Sequence, residues 1–232
     1  MRAVRGCIWT LSTLGLVLSL GGPGSAQSTP KQTHKVIIYP SANESIEQLR
    51  NQGITNVDDY GSFWVAETDN AQRDALEKSR GDRVARGDYL NRIELSSLAL
   101  DTTAGEPAAP AQLRQVAQTG KRLRLIQFKG PVRPEWLNQV KAAGKITVVT
   151  YIPNNAYLLS LDEKAEANLS TLMVPAGPIQ WIGSYHPYYK LARFSQPFTG
   201  APVDVHIAVV DGPEADQTIA SISPAWLHRA YQ

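Results

Sequence analysis

The sequence predicts an α+β fold in which a βαββαβ unit is repeated along the chain. Three observations predict it. Short β-branched or alternating segments are each followed by a turn signal or by apolar residues at helical spacing. The order of these segments recurs later in the chain. Glycine, proline and asparagine mark the turns at equivalent places in the copies.

The clearest copy covers residues 121–195. Its predicted elements are a strand over 122–128, a helix over 134–143, strands over 146–151 and 156–160, a helix from 162 to about 173, and a strand over 178–185. Pro134 suits the first turn of a helix, Gly144 is the predicted C-terminal cap, and Asp162 is the predicted N-cap of the second helix. This order is that of a ferredoxin-like unit.

The same order is predicted over residues 34–100. It comprises a strand over 35–39, a helix through Ile46 and Leu49 that ends at Gly53, strands over 54–57 and 63–66, a helix capped by Asp69, and a last strand over 84–95. Residues 101–120 are predicted to be a linker, because their first half is rich in Thr, Ala, Gly and Pro.

A third unit begins over residues 203–232 but provides only a strand and a helix. Its Gly212-Pro213 step matches Gly130-Pro131 in the second unit. A single βα piece buries its apolar face poorly. The sequence therefore leaves three interpretations: a natural truncation, a fragment, or an end that docks on the second unit.

Residues 1–26 have the pattern of a secretory signal peptide. Arg2 and Arg5 precede an apolar run over 8–20, and small residues lead to a cleavage site after Ala26. The run is too short for a membrane span, which needs about 20 apolar residues. The pattern predicts a secreted, periplasmic or extracellular protein without a membrane span after signal removal. Cleavage would also remove Cys7, the single cysteine, so no disulfide is expected.

The composition argues against several classes of function. A formal net charge of +2 and the lack of basic clusters interleaved with aromatic residues give no support for nucleic-acid binding. The four histidines are not at metal-ligand spacing, so no metal and no cofactor is predicted. No segment resembles the serine or histidine motif of a hydrolase triad, and the chain is predicted not to be an enzyme.

Three segments, 126–137, 151–158 and 181–191, resemble the N-terminal region of large bacterial subtilisin-like serine proteases. In that region, units similar to subtilisin propeptides precede the catalytic domain. The resemblance implies a ferredoxin-like fold and a subtilisin-like serine protease domain as partner. Such propeptides template the folding of their protease and inhibit it by placing a C-terminal tail in the substrate cleft. The expected function is therefore that of a prodomain-like or inhibitor-like protein.

The aromatic tail of the second unit is the candidate protein-binding site. Its residues are Trp181, Tyr185, His186, Tyr188, Tyr189 and Lys190. Aromatic anchors dominate many protein interfaces, although the same residues could instead pack against the adjoining unit. Two other functions remain open at this point: a structural or adhesive extracellular module, and a truncated piece of a protease precursor.

Overall fold

A computed structural model of the chain describes residues 33–96, 98–116, 120–190, 209–210, 212 and 215–221. The predicted signal peptide and most of the predicted third unit lie outside the described residues. Of the third unit, the structure describes the short helix α5 (Ala215–Ser221) and residues 209, 210 and 212. The described fold is mixed α/β, with antiparallel sheets and a few helices. Among the described helices, none combines the length and the apolar character needed to cross a membrane.

The first sheet has four antiparallel strands. Its elements in chain order are β1 (His34–Ile38), α1 (Ile46–Asn51), β2 (Val57–Asp59), β3 (Trp64–Thr68), α2 (Asn70–Arg80) and β4 (Val84–Arg86). The strands lie in the order β2-β3-β1-β4. Val36 and Trp64 point to one face, where they form a core with Leu49 of α1 and Leu76 of α2. As predicted, Asp69 caps α2; its carboxylate accepts a hydrogen bond from the backbone N–H of Gln72 at 2.8 Å.

The second sheet repeats this order of elements. They are β7 (Arg122–Phe128), α3 (Pro134–Ala142), β8 (Ile146–Ile152), β9 (Ala156–Leu161), α4 (Glu163–Ser170) and β10 (Ile179–Ser184). The strands lie in the order β10-β7-β9-β8, so the equivalent strands occupy equivalent positions. The helices again cover one face, where Phe128, Leu159 and Ile179 pack with Trp136 of α3 and Leu169 of α4.

The single strand predicted over 84–95 is wrong. β4 ends at Arg86, a 3₁₀ turn follows, and β5 (Arg92–Glu94) pairs with β6 (Ala99–Asp101) in a separate hairpin. The bend follows Gly87, whose N–H bonds to the carbonyl of Lys35 at 2.8 Å. A Cβ at this position would meet the Lys35 backbone at 3.3 Å, which is a tight contact.

The hairpin packs on the second sheet. Ile93 of β5 and Leu100 of β6 are fully buried against Leu125, Leu158 and Trp181. These three residues belong to the face of the second sheet that α3 and α4 leave open. The end of the predicted first unit and the start of the predicted linker thus cover the sheet of the second unit.

Gly144 has a different role from the one predicted. It does not adopt the positive φ of a left-handed cap. Instead, a Cβ at Gly144 would lie 2.8 Å from the Cβ of Ala165 in α4, so glycine permits a close approach between the end of α3 and α4.

In the predicted turn at 153–155, Asn154 and Asn155 have φ values of 67° and 64°. Asparagine tolerates this region better than most residues.

Candidate functional site

A polar cleft of about 310 Å³ lies where the two sheets meet. Lys35 and Glu67 line it from the first sheet, on the face that its helices leave open, and Lys129 and Gln180 line it from the second. A second cleft of about 250 Å³ shares Lys35, Glu67 and Gln180 with the first and extends to Thr102. Lys35 is therefore common to both spaces.

Lys35 is placed by the alternation of β1. Its neighbour Val36 points into the core, so Lys35 points to the opposite face, where it is 2% exposed. Its ammonium donates hydrogen bonds to the carbonyl of Lys129 and to the side-chain oxygen of Gln180. Burial lowers the pKa of Lys35 from 10.5 to about 8, although the nearby carboxylates of Glu67 and Asp58 favour the charged form.

Gln180 continues the polar network away from Lys35. Its amide N–H groups donate to the side-chain oxygen of Gln127, to the hydroxyl of Thr102 at 3.2 Å and to the carbonyl of Leu90 at 3.2 Å. Gln127 is fully buried and donates to the carbonyl of Asn154 at 2.8 Å. The network joins the hairpin region to both sheets and satisfies polar groups that would be costly to bury alone.

The cleft contains charges of both signs. Lys129 pairs with Asp58 at 3.0 Å, and the side-chain amide of Asn56 donates to Glu67 at 3.0 Å. Within the described ranges, no three His, Cys, Asp or Glu side chains come together as a metal site. Chemically, the cleft offers one buried amine surrounded by hydrogen-bond acceptors and compensating charges.

His34 lies beside this network, next to Lys35 in β1. Its Nδ1 lies 2.9 Å from a carboxylate oxygen of Asp88, whose other oxygen accepts the backbone N–H of Lys35 at 2.8 Å. The Nε2 of His34 is buried and has no hydrogen-bond partner among the residues that the structure describes. Asp88 therefore connects the 3₁₀ turn after Gly87 to the start of β1.

Aromatic residues also hold the two sheets together. The hydroxyl of Tyr60 donates to the carbonyl of Pro131 at 2.9 Å, and the Arg133 guanidinium lies 4.2 Å from the centre of the Tyr60 ring. Arg133 is also 4.8 Å from the Trp136 ring. Burial raises the pKa of Tyr60 above its usual value. The loop between β2 and β3 is thereby bound to the start of α3.

The predicted aromatic site folds back onto its own sheet. Trp181 and Tyr189 are 8% and 2% exposed and belong to the core under the hairpin, with Tyr185 and Tyr188 packed at its margin. Lys190 is exposed, and its ammonium lies 5.5 Å from the Tyr185 ring. Packing against neighbouring parts of the chain, the alternative left open by the sequence, accounts for Trp181 and Tyr189.

His186 also contacts other parts of the same chain. Its Nε2 lies 2.7 Å from a carboxylate oxygen of Glu106, and its Nδ1 accepts the backbone N–H of Gln115 at 2.9 Å. The next residues, Pro187–Lys190, form a 3₁₀ turn. Up to Lys190, the tail after β10 is therefore folded against the second sheet and is not a free extended strand.

The four edges of the two sheets differ in their protection. β2 and β4 have three residues each and carry charges, at Asp58, Asp59 and Arg86. At the β10 edge, the N–H of Ser184 donates to Glu106 at 3.2 Å. The fourth edge strand is β8.

β8 is seven residues long and carries no charge, with Thr147, Thr150 and Tyr151 exposed. Charged or very short edge strands resist unwanted pairing. β8 has neither protection.

Comparison with known protein families gives a match over part of the chain. The model of a family described as a domain of unknown function (DUF8729) matches residues 90–186. This region contains both the β5–β6 hairpin and the whole second sheet, the parts that share a core. None of the curated proteins and none of the solved structures matches the chain.

Sequence reasoning did not identify Lys35, Gln127 and Gln180 as a group. The available signal was local. Lys35 and Gln127 are each a single polar residue close to the apolar centre of a strand, at a position that alternation assigns to the open face. No sequence pattern indicates that Gln180 links these two residues, because the link depends on how the sheets pack.

Proposed function

We propose that this chain is a secreted, non-catalytic protein of the subtilisin-propeptide type, which binds a subtilisin-like serine protease domain. In this proposal each four-stranded sheet with its two helices is one ferredoxin-like unit. The observation that carries it is the recurrence of the same strand order, β2-β3-β1-β4 and its equivalent, with βαββαβ connectivity and both helices on one face. The resemblance of 126–137, 151–158 and 181–191 to the prodomain-like region of such proteases supports the same class.

The covered face of the second sheet restricts how binding would occur. The hairpin and the tail from Tyr185 to Tyr189 occupy the face that α3 and α4 leave open. A partner would have to displace that core to reach the face, and burying several large side chains is worth about 1.5–3 kcal/mol each. Binding through an edge of a sheet, or through the more polar first sheet, leaves the core intact. β-Strand addition at an edge is an established mode of protein recognition.

The proposal is tested by titrating the full chain, exported and purified from a secreting host, into an active subtilisin. Hydrolysis of a small peptide substrate reports inhibition, and a gel of each mixture shows whether the chain survives. We expect inhibition at stoichiometric amounts with the chain intact. If the exported protein is recovered with an N-terminus near residue 27, the result supports the proposal that residues 1–26 are a cleaved secretory signal.

A serine protease of the chymotrypsin fold, assayed with the same preparation, is the matched control. A specific subtilisin-type binder leaves that enzyme active, whereas a contaminating or general inhibitor affects both. Full subtilisin activity, with the chain either untouched or digested, would exclude the proposal and favour a structural or adhesive module.

A further inference from the structure

Within the part of the chain that the structure describes, β8 is an edge strand with no further strand beside it. Among the described strands it pairs only with β9, and an edge strand leaves alternate backbone N–H and C=O groups on its outer side unpaired. Its seven residues span about 23 Å at roughly 3.3 Å per residue. The backbone of a partner segment of similar length can therefore hydrogen-bond along this edge.

The side chains of β8 favour an added strand that is also uncharged. The strand is Ile-Thr-Val-Val-Thr-Tyr-Ile, and six of its seven residues are exposed or partly buried, Ile152 being the buried one. β-Branched and aromatic residues suit cross-strand pairing. The register with β9 shifts between Val148 and Thr150, so Val149 is an extra residue at a bulge. An added strand must follow the same bend, which limits it to few registers.

Two lysines lie just before β8 in the chain. Lys141 in the last turn of α3 and Lys145 directly before β8 are both exposed, and neither forms an ion pair with a carboxylate in the part of the chain that the structure describes. They give one end of an otherwise uncharged edge a positive charge. An acidic residue at the corresponding end of the partner strand would complement that charge.

A second copy of this chain does not supply that complement. In a two-fold antiparallel pairing centred on Val149, Lys145 of one copy would lie opposite Pro153 of the other. The lysines would then have no acidic partner at either end. Charge complementarity therefore favours a different protein over self-association.

We infer that β8 is the docking strand of this protein, and that it receives an extended segment of the partner with an uncharged, β-branched centre and an acidic residue next to Lys145. The inference rests on the proposed function and specifies the surface through which it acts. Strand addition extends the second sheet from four strands to five and leaves the core under the hairpin undisturbed.

The test compares two double variants in the subtilisin titration. Thr147→Lys with Thr150→Lys places two charges on exposed positions of β8, and Ala71→Lys with Ala75→Lys places the same charges on exposed positions of α2. We expect the β8 variant to inhibit about tenfold more weakly or worse, because edge lysines oppose strand addition. The α2 variant should inhibit like the parent chain. Circular dichroism establishes that both variants are folded.

Lys145→Glu is a second variant that leaves the β8 ladder unchanged. It should weaken inhibition, and added salt should weaken inhibition by the parent chain more than by this variant, because the complementary charges are screened. Equal salt dependence of the two proteins would contradict the inference that Lys145 lies next to an acidic residue of the partner.

The outcomes separate this inference from the proposed function. If the parent chain inhibits and the β8 variant inhibits equally well, the edge is not the docking strand, although the proposed function stands. If the parent chain does not bind subtilisin, both are overturned. Sedimentation analysis covers the remaining case: a dimer that the β8 variant abolishes, without protease binding, would assign the edge to a second copy and overturn the inference.

Discussion

The two sheets share one order of strands and helices, yet their open faces have opposite characters. In the first sheet, Lys35 faces Glu67 across the β1–β3 pair, and the face borders a polar cleft. In the second sheet, the equivalent pairing brings Leu125 opposite Leu158, and the face is buried under the hairpin and the tail. The difference shows that the few residues on the open face of a sheet decide what happens to that face. The same backbone arrangement is buried under another segment in one sheet and borders a cleft in the other.

The largest effect on the free energy of unfolding is expected from removing a side chain on the covered face of the second sheet. Leu125→Ala removes a fully buried side chain from the core under the hairpin and should lower the free energy of unfolding by about 3 kcal/mol. Ile37→Ala on the open face of the first sheet is the matched control, and because Ile37 is only partly buried its cost should be under half as large. Urea denaturation of both variants measures the difference. Equal losses would mean that the two faces are equally packed.

The burial of Lys35 on the open face of the first sheet should make the free energy of unfolding depend on pH. Burial lowers the pKa of Lys35 in the folded chain to about 8, whereas the unfolded chain has the usual value of 10.5. Between these values the unfolded state binds more protons, so the free energy of unfolding should rise with pH, by roughly 3 kcal/mol in total from this group. Below pH 8 both states are protonated and the contribution is constant.

Lys35→Met should abolish this rise between pH 8 and 10.5, measured by urea denaturation at several pH values relative to the parent chain. Lys78→Met, at an exposed position of α2, is the control and should keep the rise. The same pH dependence in Lys35→Met and in the parent chain would show that Lys35 is not buried as described.

A smaller effect is expected from the ion pairs that each sheet makes with its second helix. Glu166 of α4 accepts hydrogen bonds from Arg122 at 2.7 Å and from Arg124 at 2.9 Å. Burial alone would raise the pKa of Glu166, but the two guanidinium groups outweigh it and hold the pKa below the usual range. This stability is present above the unfolded pKa and is lost as pH falls through the folded value.

Glu166→Gln should therefore lower the free energy of unfolding by about 1 kcal/mol at neutral pH and by less in acid. The counterpart in the first sheet is the solvent-exposed pair of Glu77 with Arg86 at 2.9 Å, and Glu77→Gln should have a smaller effect. Thermal or urea unfolding at pH 7 and pH 3 compares the two variants. A loss from Glu166→Gln that persists unchanged at pH 3 would contradict an ionic origin.

Much of the local structure could be predicted because its causes lie within a few residues. Asp69 and Asp162 cap helices through the N–H groups three residues ahead, and Asn154 and Asn155 form the turn between β8 and β9. Gly144 was predicted in the right place but with the wrong role, because its neighbour Ala165 lies in the next helix.

The candidate sites were less accessible to sequence reasoning. The sequence predicts the aromatic residues from Trp181 to Tyr189 as a group, but whether Tyr189 faces a partner or its own chain depends on the hairpin at 92–101. The edge character of β8 follows from strand order, which adjacency in sequence does not specify.

The sequence by itself determined the alternation of strands and helices, their caps and turns, and the likeness between the two halves, since these depend on neighbouring residues. Only the tertiary structure decided that the hairpin covers the second sheet, that Lys35 meets Gln180 across 145 positions of chain, and that β8 is an edge among the described strands. Such contacts form when apolar faces from distant segments exclude water together. The pattern within any one segment shows which face is apolar, but not which segment will cover it.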